Sequence, residues 1–193
     1  MLNYYSRQSN SGNFTKVDTP PRGGNVWIHV DEANKADADK LIKAYNLDAD
    51  IIKDVFDPNE LPHIEYSEDG RTLYVFLRKA WRSKTDQIKT LPLLVVVGDK
   101  NFITISQAHS NLPLNNIDIK TYSLQQSQYF LLLSLIYTIV SEYGGLVNHT
   151  SDVVHTMKYR LRSHEITNKD FYRFITNLRE AVILSKRKTI QDR

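Results

Sequence analysis

The first half of the chain alternates short apolar stretches with clusters of turn residues, a pattern that is typical of β-strands. The run at 26–30 is apolar and β-branched, and it predicts a central strand. The unbroken apolar run at 93–97 predicts a strand that is covered on both faces. Together the patterns predict a mixed sheet of about six or seven strands, at 2–5, 14–17, 26–30, 63–66, 72–77, 88–97 and 101–106.

Two short helices are predicted after the strand at 26–30. The first spans 33–45, with Asp31 or Asn34 as its N-cap, and the second spans 49–56, with Asp48 as its N-cap. Asp69-Gly70 lies between two strands and predicts a hairpin turn, because both turn residues must tolerate positive φ. This order of strands and helices predicts an α/β fold.

The second half of the chain predicts helices. Apolar residues recur every three or four positions over 124–162, which is typical of a long amphipathic helix, and Gly144-Gly145 interrupts it. A polar turn at 163–169 and a capping box at Thr167 and Asp170 precede a second helix, and the two helices are predicted to pair as an antiparallel hairpin. The second helix reaches Arg193 without a Gly or Pro, so we expect it to continue in a longer protein. The predicted domains are 1–121 and 122–193.

The composition of the chain excludes several classes of function. The 193-residue chain has a net charge of +3, too small to indicate nucleic-acid binding, and it has no cysteine, which excludes disulfides and cysteine zinc sites. The longest apolar stretch, 130–140, is about half the ~20 residues that span a bilayer, so a soluble chain is predicted. No nucleophile, base and orienting group occur in a known motif, so we predict no enzyme.

Two groups of residues are candidate metal ligands. His149, Asp152 and His155 recur at helical spacing, which can place three ligands on one side of a helix. Acidic residues cluster between positions 31 and 57, where capping and the helix dipole also explain them. The basic run at 186–188 is predicted to be a solvated helix face.

Several segments, in their order along the chain, resemble the cytoplasmic domain of CorA-type divalent-cation transporters. The strand with Trp27 resembles an early strand of that family. The helix ending in Asp54-Val55-Phe56-Asp57 resembles its Asp-Val-x-Asp pattern. The segment 61–66 resembles its Arg-Pro-(Lys/Arg)-x-Glu motif, with Leu61 in place of the Arg, and 91–105 resembles its hairpin with an Ile-Thr strand.

The resemblance implies an α/β/α layered structure followed by a long helical hairpin leading into a truncated stalk helix. It implies a metal-sensing and gating domain of a homopentameric transporter at the cytoplasmic face of the cell membrane, attached through C-terminal transmembrane helices that this sequence lacks. The implied cation is Mg²⁺, or another divalent cation such as Zn²⁺ or Co²⁺. In some members of the family an Asp contributes to a regulatory Mg²⁺ site between subunits, and the resemblance implies that Asp86 takes this role here. The sequence contains no Gly-Met-Asn, the motif that follows the first transmembrane helix in the family.

Two alternatives stay open from the sequence. A related zinc transporter would share this domain, with His149, Asp152 or His155 as its ligands. A stand-alone soluble adaptor would use the helical hairpin to bind partner proteins. Neither alternative involves nucleic acid.

Overall fold

A computed structural model of the chain describes residues 2–6, 14–20, 26–82, 88–99, 101–107, 124–162, 167–172, 174–176, 178 and 179. Ten elements have bounds within these ranges, and residues 168–172, 174–176, 178 and 179 are also helical. The strands are β1 Leu2–Ser6, β2 Thr15–Val17, β3 Val26–Val30, β4 His63–Tyr66, β5 Leu73–Arg82, β6 Ile88–Val97 and β7 Asn101–Ser106. The helices are α1 Lys35–Tyr45, α2 Ala49–Asp54 and α3 Leu124–Arg162.

The seven strands form one mixed sheet in the order β2-β1-β3-β7-β6-β5-β4. β3 and β7 pair in parallel at the centre, with Ile28 opposite Ile103, whereas β1 pairs antiparallel with β2 and with β3. β4 forms an edge and pairs antiparallel with β5. The predicted α/β fold, a mixed sheet with helices followed by a long helix, is therefore confirmed.

One face of the sheet forms the main core with α1 and α2. Alternate residues of the central strands, such as Ile28 and Ile103, are fully buried with Leu41 of α1 and Ile52 of α2. The opposite face is also buried, because Trp27, Phe102, Leu93 and Val95 are at most 1% exposed. Burial on both faces explains why the predicted run at 93–97 contains no polar residue.

Side-chain caps fix where the short helices begin. Asn34, not Asp31, caps α1 by accepting the Asp37 backbone N–H, and Asp48 caps α2 by accepting those of Asp50 and Ile51. Asp31 is instead buried close to His29 at the end of β3. Of the two residues predicted to cap α1, the cap is therefore Asn34.

β5 extends to Arg82, beyond the predicted end at residue 77, and its Arg78 supports the loop before β4. The Arg78 guanidinium donates to the backbone carbonyl oxygens of Pro58 and Glu60. Charge-assisted bonds of this kind are stronger than neutral ones. Arg78 therefore anchors the proline-containing loop between α2 and β4.

The described chain divides into two compact units, Met1–Lys79 with Leu91–Thr138 and Ala80–Thr90 with Ile139–Arg193. The division of the sequence at 121 and 122 stays a prediction. In the first unit, Leu131 and Leu135 of α3 are buried, while Leu133 and Tyr137 are exposed.

In the second unit, α3 runs through Gly144 and Gly145 without interruption, so the glycines do not end the helix. Its buried Thr150 donates a hydrogen bond to the Leu146 carbonyl. Beyond α3, Thr167 and Asp170 form the predicted reciprocal cap, and Arg160 lies 3.8 Å from the Asp170 carboxylate.

Candidate functional site

A buried polar network lies on the sheet face opposite α1 and α2. The Trp27 indole N–H donates to Thr104 Oγ1 over 3.1 Å, and Thr104 Oγ1 lies 2.9 Å from His29 Nδ1. The Thr104 hydroxyl can donate one hydrogen bond and accept two, so it can serve both ring systems at once. Nε2 is 3.9 Å from Asp31 Oδ1.

This arrangement has the order of a hydroxyl, a histidine and a carboxylate, as in nucleophilic catalysis. Thr104 is 0% exposed and His29 is 5% exposed, so no substrate reaches the hydroxyl. The network therefore gives three buried polar side chains hydrogen-bond partners and links β3 to β7. No local sequence pattern predicts this network, because Thr104 and His29 are 75 residues apart.

The motif-like segment at 61–66 forms edge strand β4 and the turn before it. The His63 ring stacks on Phe76 with centroids 4.4 Å apart, and its Nε2 lies 3.0 Å from Glu65 Oε1. His63 Nδ1 lies 2.8 Å from the Leu61 carbonyl oxygen. The Glu of this segment is therefore engaged with a neighbouring side chain on its own strand.

The structure describes one of the two predicted metal sites and not the other. His149, Asp152 and His155 all lie exposed on α3. Across the part of the chain that the structure describes, no three His, Cys, Asp or Glu side chains are grouped so that they could hold a metal ion. Asp86 lies outside the described residues. Both metal sites stay predictions.

Several carboxylates of the acidic cluster near α1 and α2 make local interactions. Asp48 caps α2, and Asp50 lies 3.0 Å from Lys53 Nζ one turn away. Asp57 accepts the backbone N–H of Asn59. These contacts support the explanation of the cluster by capping and by pairing within helices.

Among the described residues, one helical segment, Gln128–Arg160, is long and apolar enough to cross a membrane by length and composition only, and 22% of its most apolar window is buried. The apolar stretch at 130–140, which is too short to span a bilayer by itself, lies inside this longer segment. A core helix of a soluble protein satisfies the same criterion.

The sequence model of the CorA-like Mg²⁺ transporter protein family matches residues 22–193. The chain belongs to the CorA-like Mg²⁺ transporter family. A search of curated proteins found no match. Membership confirms the resemblance that the sequence motifs indicated and places this CorA-like chain in a family of transporters.

Solved structures share the fold of this CorA-like chain. The soluble domain of CorA from Methanocaldococcus jannaschii matches with a TM-score of 0.71 at 17% identity, over 95% of this chain and 72% of that chain. The complete CorA magnesium transporter of the same organism matches with a TM-score of 0.68 at 15% identity, over 95% of this chain and 57% of that chain. The ZntB cytoplasmic domain from Vibrio parahaemolyticus matches with a TM-score of 0.52 at 14% identity, over 99% of this chain and 82% of that chain.

These matches bear on α3. Because 95% of this chain aligns with the soluble domain of CorA, most of α3 lies inside the aligned part. The fold of the CorA-like chain therefore resembles that of the CorA soluble domain along most of α3. The chain spans 57% of the length of the complete transporter chain.

Proposed function

We propose that this chain is the cytoplasmic metal-sensing domain of a CorA-like Mg²⁺ transporter, and that metal bound to it gates the pore. The family match over residues 22–193 carries the proposal, and the soluble-domain fold supports it. In this proposal the transmembrane pore is formed by residues outside this sequence. That agrees with a chain that spans 57% of a complete CorA transporter.

The proposed mechanism links cation binding to a two-state arrangement of subunits at the cytoplasmic face of the membrane. In a homopentamer, carboxylates of neighbouring subunits repel each other, and a divalent cation between them offsets the repulsion and favours the closed state. Asp86 is the proposed carboxylate of this chain. The ligands that Mg²⁺ prefers are oxygen atoms, which fits a carboxylate site.

The test is transport by the full-length gene product in liposomes, with Mg²⁺ varied on the side of this domain. We expect Mg²⁺ flux that falls as Mg²⁺ on that side rises, and an Asp86→Asn variant that needs more Mg²⁺ for the same inhibition. Asp18→Asn removes the same charge from an exposed position just after β2 and serves as the control. Absence of flux would contradict the transporter assignment, whereas flux that ignores Mg²⁺ on that side would contradict only the sensing role.

A second candidate is the cytoplasmic domain of a zinc transporter. The fold shared with a ZntB cytoplasmic domain and the exposed His149, Asp152 and His155 favour it. Imidazole nitrogen is a common zinc ligand and a poor magnesium ligand, so the two cations separate the candidates. Calorimetric titration with Zn²⁺ and Mg²⁺ decides: tight Zn²⁺ binding that His149→Ala weakens favours zinc, and Zn²⁺ binding that this variant leaves unchanged removes the site.

A further inference from the structure

β4 is an edge strand, so one row of its backbone groups has no partner strand among the described residues. The Ser67 backbone N–H donates to the Thr72 carbonyl oxygen, in the same register as the β4–β5 pairing. Bonded pairs recur at every second residue of an antiparallel ladder, so Glu65 bonds to β5. The N–H and C=O groups of Ile64 and Tyr66 therefore point outward, to the free edge.

The same two residues expose apolar side chains at this edge. Ile64 is 63% exposed and Tyr66 is 66% exposed, and they lie opposite Val75 and Leu73 of β5. Edge strands are usually protected by charged side chains, by proline or by a β-bulge. The register of β4 with β5 is continuous, and the two residues with outward backbone groups are neither charged nor proline. The edge is therefore open to a further strand.

The outward backbone groups define the chemical class of the partner. A row of alternating N–H and C=O groups is complementary to the backbone of another extended chain, as in β-strand addition. Ile64 and Tyr66 then favour apolar residues at the two positions that pair with them, because aromatic and β-branched cross-strand pairs stabilise a sheet. The edge therefore fits an extended peptide with apolar residues at alternate positions.

The residue between these two is acidic and selects the middle position of the peptide. Glu65 points to the other face of the sheet, where its Oε1 lies 3.0 Å from His63 Nε2 and its side chain is 45% exposed. A residue directly opposite Glu65 on an added strand has its Cβ about 4.5–5.5 Å away. A Lys or Arg there pairs with the carboxylate, so the edge favours a basic residue between two apolar ones.

A second copy of β4 fits this edge poorly. Antiparallel pairing about a two-fold axis can place Ile64 opposite the second copy's Tyr66, but it then places Glu65 directly opposite Glu65. Like charges in this position are destabilising. Centring the pairing on Ile64 brings Pro62, which has no N–H, into a bonding position. Centring it on Tyr66 brings in Glu68 of the hairpin turn. The observations therefore favour a partner of different sequence.

We propose that the free edge of β4 binds an extended segment of another protein by antiparallel β-strand addition. The segment has two apolar residues opposite Ile64 and Tyr66 and a Lys or Arg opposite Glu65. Its backbone hydrogen bonds supply affinity, and its alternate side chains supply specificity. This interaction goes beyond the proposed transport function and does not depend on it.

The test measures the binding of short synthetic peptides to the 193-residue chain by fluorescence anisotropy. The reference peptide is Ser-Thr-Val-Lys-Val-Thr-Ser with blocked ends, and its counterpart has Glu in place of Lys. We expect the Lys peptide to bind about two- to tenfold more tightly, and Glu65→Lys to reverse this order. Asp18→Asn, beside the opposite edge strand β2, should leave the order and its size unchanged.

Methylation of the peptide backbone separates strand pairing from nonspecific apolar contact. In the bound peptide the N–H groups of both Val face β4, and that of Lys faces away. N-methylation of both Val should weaken binding at least about fivefold, whereas N-methylation of Lys should change it less than about twofold.

A proline in β4 tests the same bonds from the side of the protein. The Ile64 N–H does not bond to β5, so Ile64→Pro keeps the β4–β5 pairing and should weaken the Lys peptide about threefold or more. Leu133→Thr on α3 alters an apolar side chain of equal exposure, 63%, and should change nothing. If Ile64→Pro does not fold, the methylated peptides on the unaltered chain decide alone.

Several results would overturn the proposal. They are equal affinity for the Lys and Glu peptides, equal weakening by the two kinds of methylation, and no binding at roughly 1 mM peptide. Concentration-dependent dimers of the chain that Ile64→Pro abolishes would also overturn it, because they would assign the edge to a second copy.

Discussion

Replacing the glycine pair inside α3 by alanine should stabilise the second unit. A Cβ atom at Gly144 or Gly145 would meet no heavy atom within 4 Å, and neither glycine has a positive φ. Alanine therefore fits both positions without strain. Nothing in the described packing around these residues requires glycine.

The magnitude follows from helix propensity. Glycine in a helix interior is roughly 1 kcal/mol less favourable than alanine. The double variant Gly144→Ala/Gly145→Ala should therefore gain about 2 kcal/mol in helix stability if the two contributions add. At about 1.4 kcal/mol for each factor of ten, local opening of this part of α3 should become roughly 30-fold rarer.

Amide hydrogen exchange measured by mass spectrometry reports this opening directly. Peptides that cover residues 144–155 should exchange roughly 30-fold more slowly in the double variant. Peptides from β3 and β7, in the first unit, should exchange as before. Slower exchange confined to α3 would locate the effect in the helix.

Gly70 provides the matched control. A Cβ atom there also meets nothing within 4 Å, but Gly70 has φ +69 in the β4–β5 turn. An L-residue in this conformation costs about 1–2 kcal/mol, so Gly70→Ala should destabilise the protein. If the α3 variants are neutral or destabilising, the helix is not continuous at Gly144 and Gly145, and the reasoning fails.

Three further changes test the N-cap of α2, the ionisation of Tyr74 and the buried hydrogen bonds of Thr104. Asp48→Ala should lower the free energy of unfolding by about 1 kcal/mol in urea denaturation, whereas Asp50→Ala, which removes an exposed ion pair, should change it by a few tenths. Because burial raises the pKa of Tyr74, its contribution to stability is present below the unfolded value of about 10 and is lost as pH rises through the folded value. Stability above pH ~10 should fall more steeply in the unaltered chain than in Tyr74→Phe. Thr104→Val should cost about 1–3 kcal/mol by leaving the buried Trp27 indole N–H without an acceptor, and equal stability of the two proteins in chemical denaturation would contradict the network.

Local patterns along the chain predicted most of the fold. Asp69-Gly70 marked a real hairpin because its turn needs residues that tolerate positive φ, and the structure has Gly70 at φ +69. The end of β5 was predicted too early, at residue 77 instead of Arg82. Arg78 instead donates to the loop before β4, a partner 18 residues away in sequence.

Features assembled from distant residues could not be predicted. The parallel pairing of β3 with β7 and the contact between Thr104 and His29 depend on residues 75 positions apart. The metal ligands of our proposal could not be predicted either, because a site between subunits requires residues of two chains.

The parallel pairing of β3 with β7 has a consequence for synthesis on the ribosome. β3 can pair with β7 only after another 75 residues have been translated. Their translation takes roughly 4–15 s at 5–20 residues per second. During this interval an apolar strand with Trp27 and Ile28 has one edge unpaired, and such edges promote association with other chains. The order of the strands along the chain therefore leaves one edge of β3 without its partner until β7 has been translated.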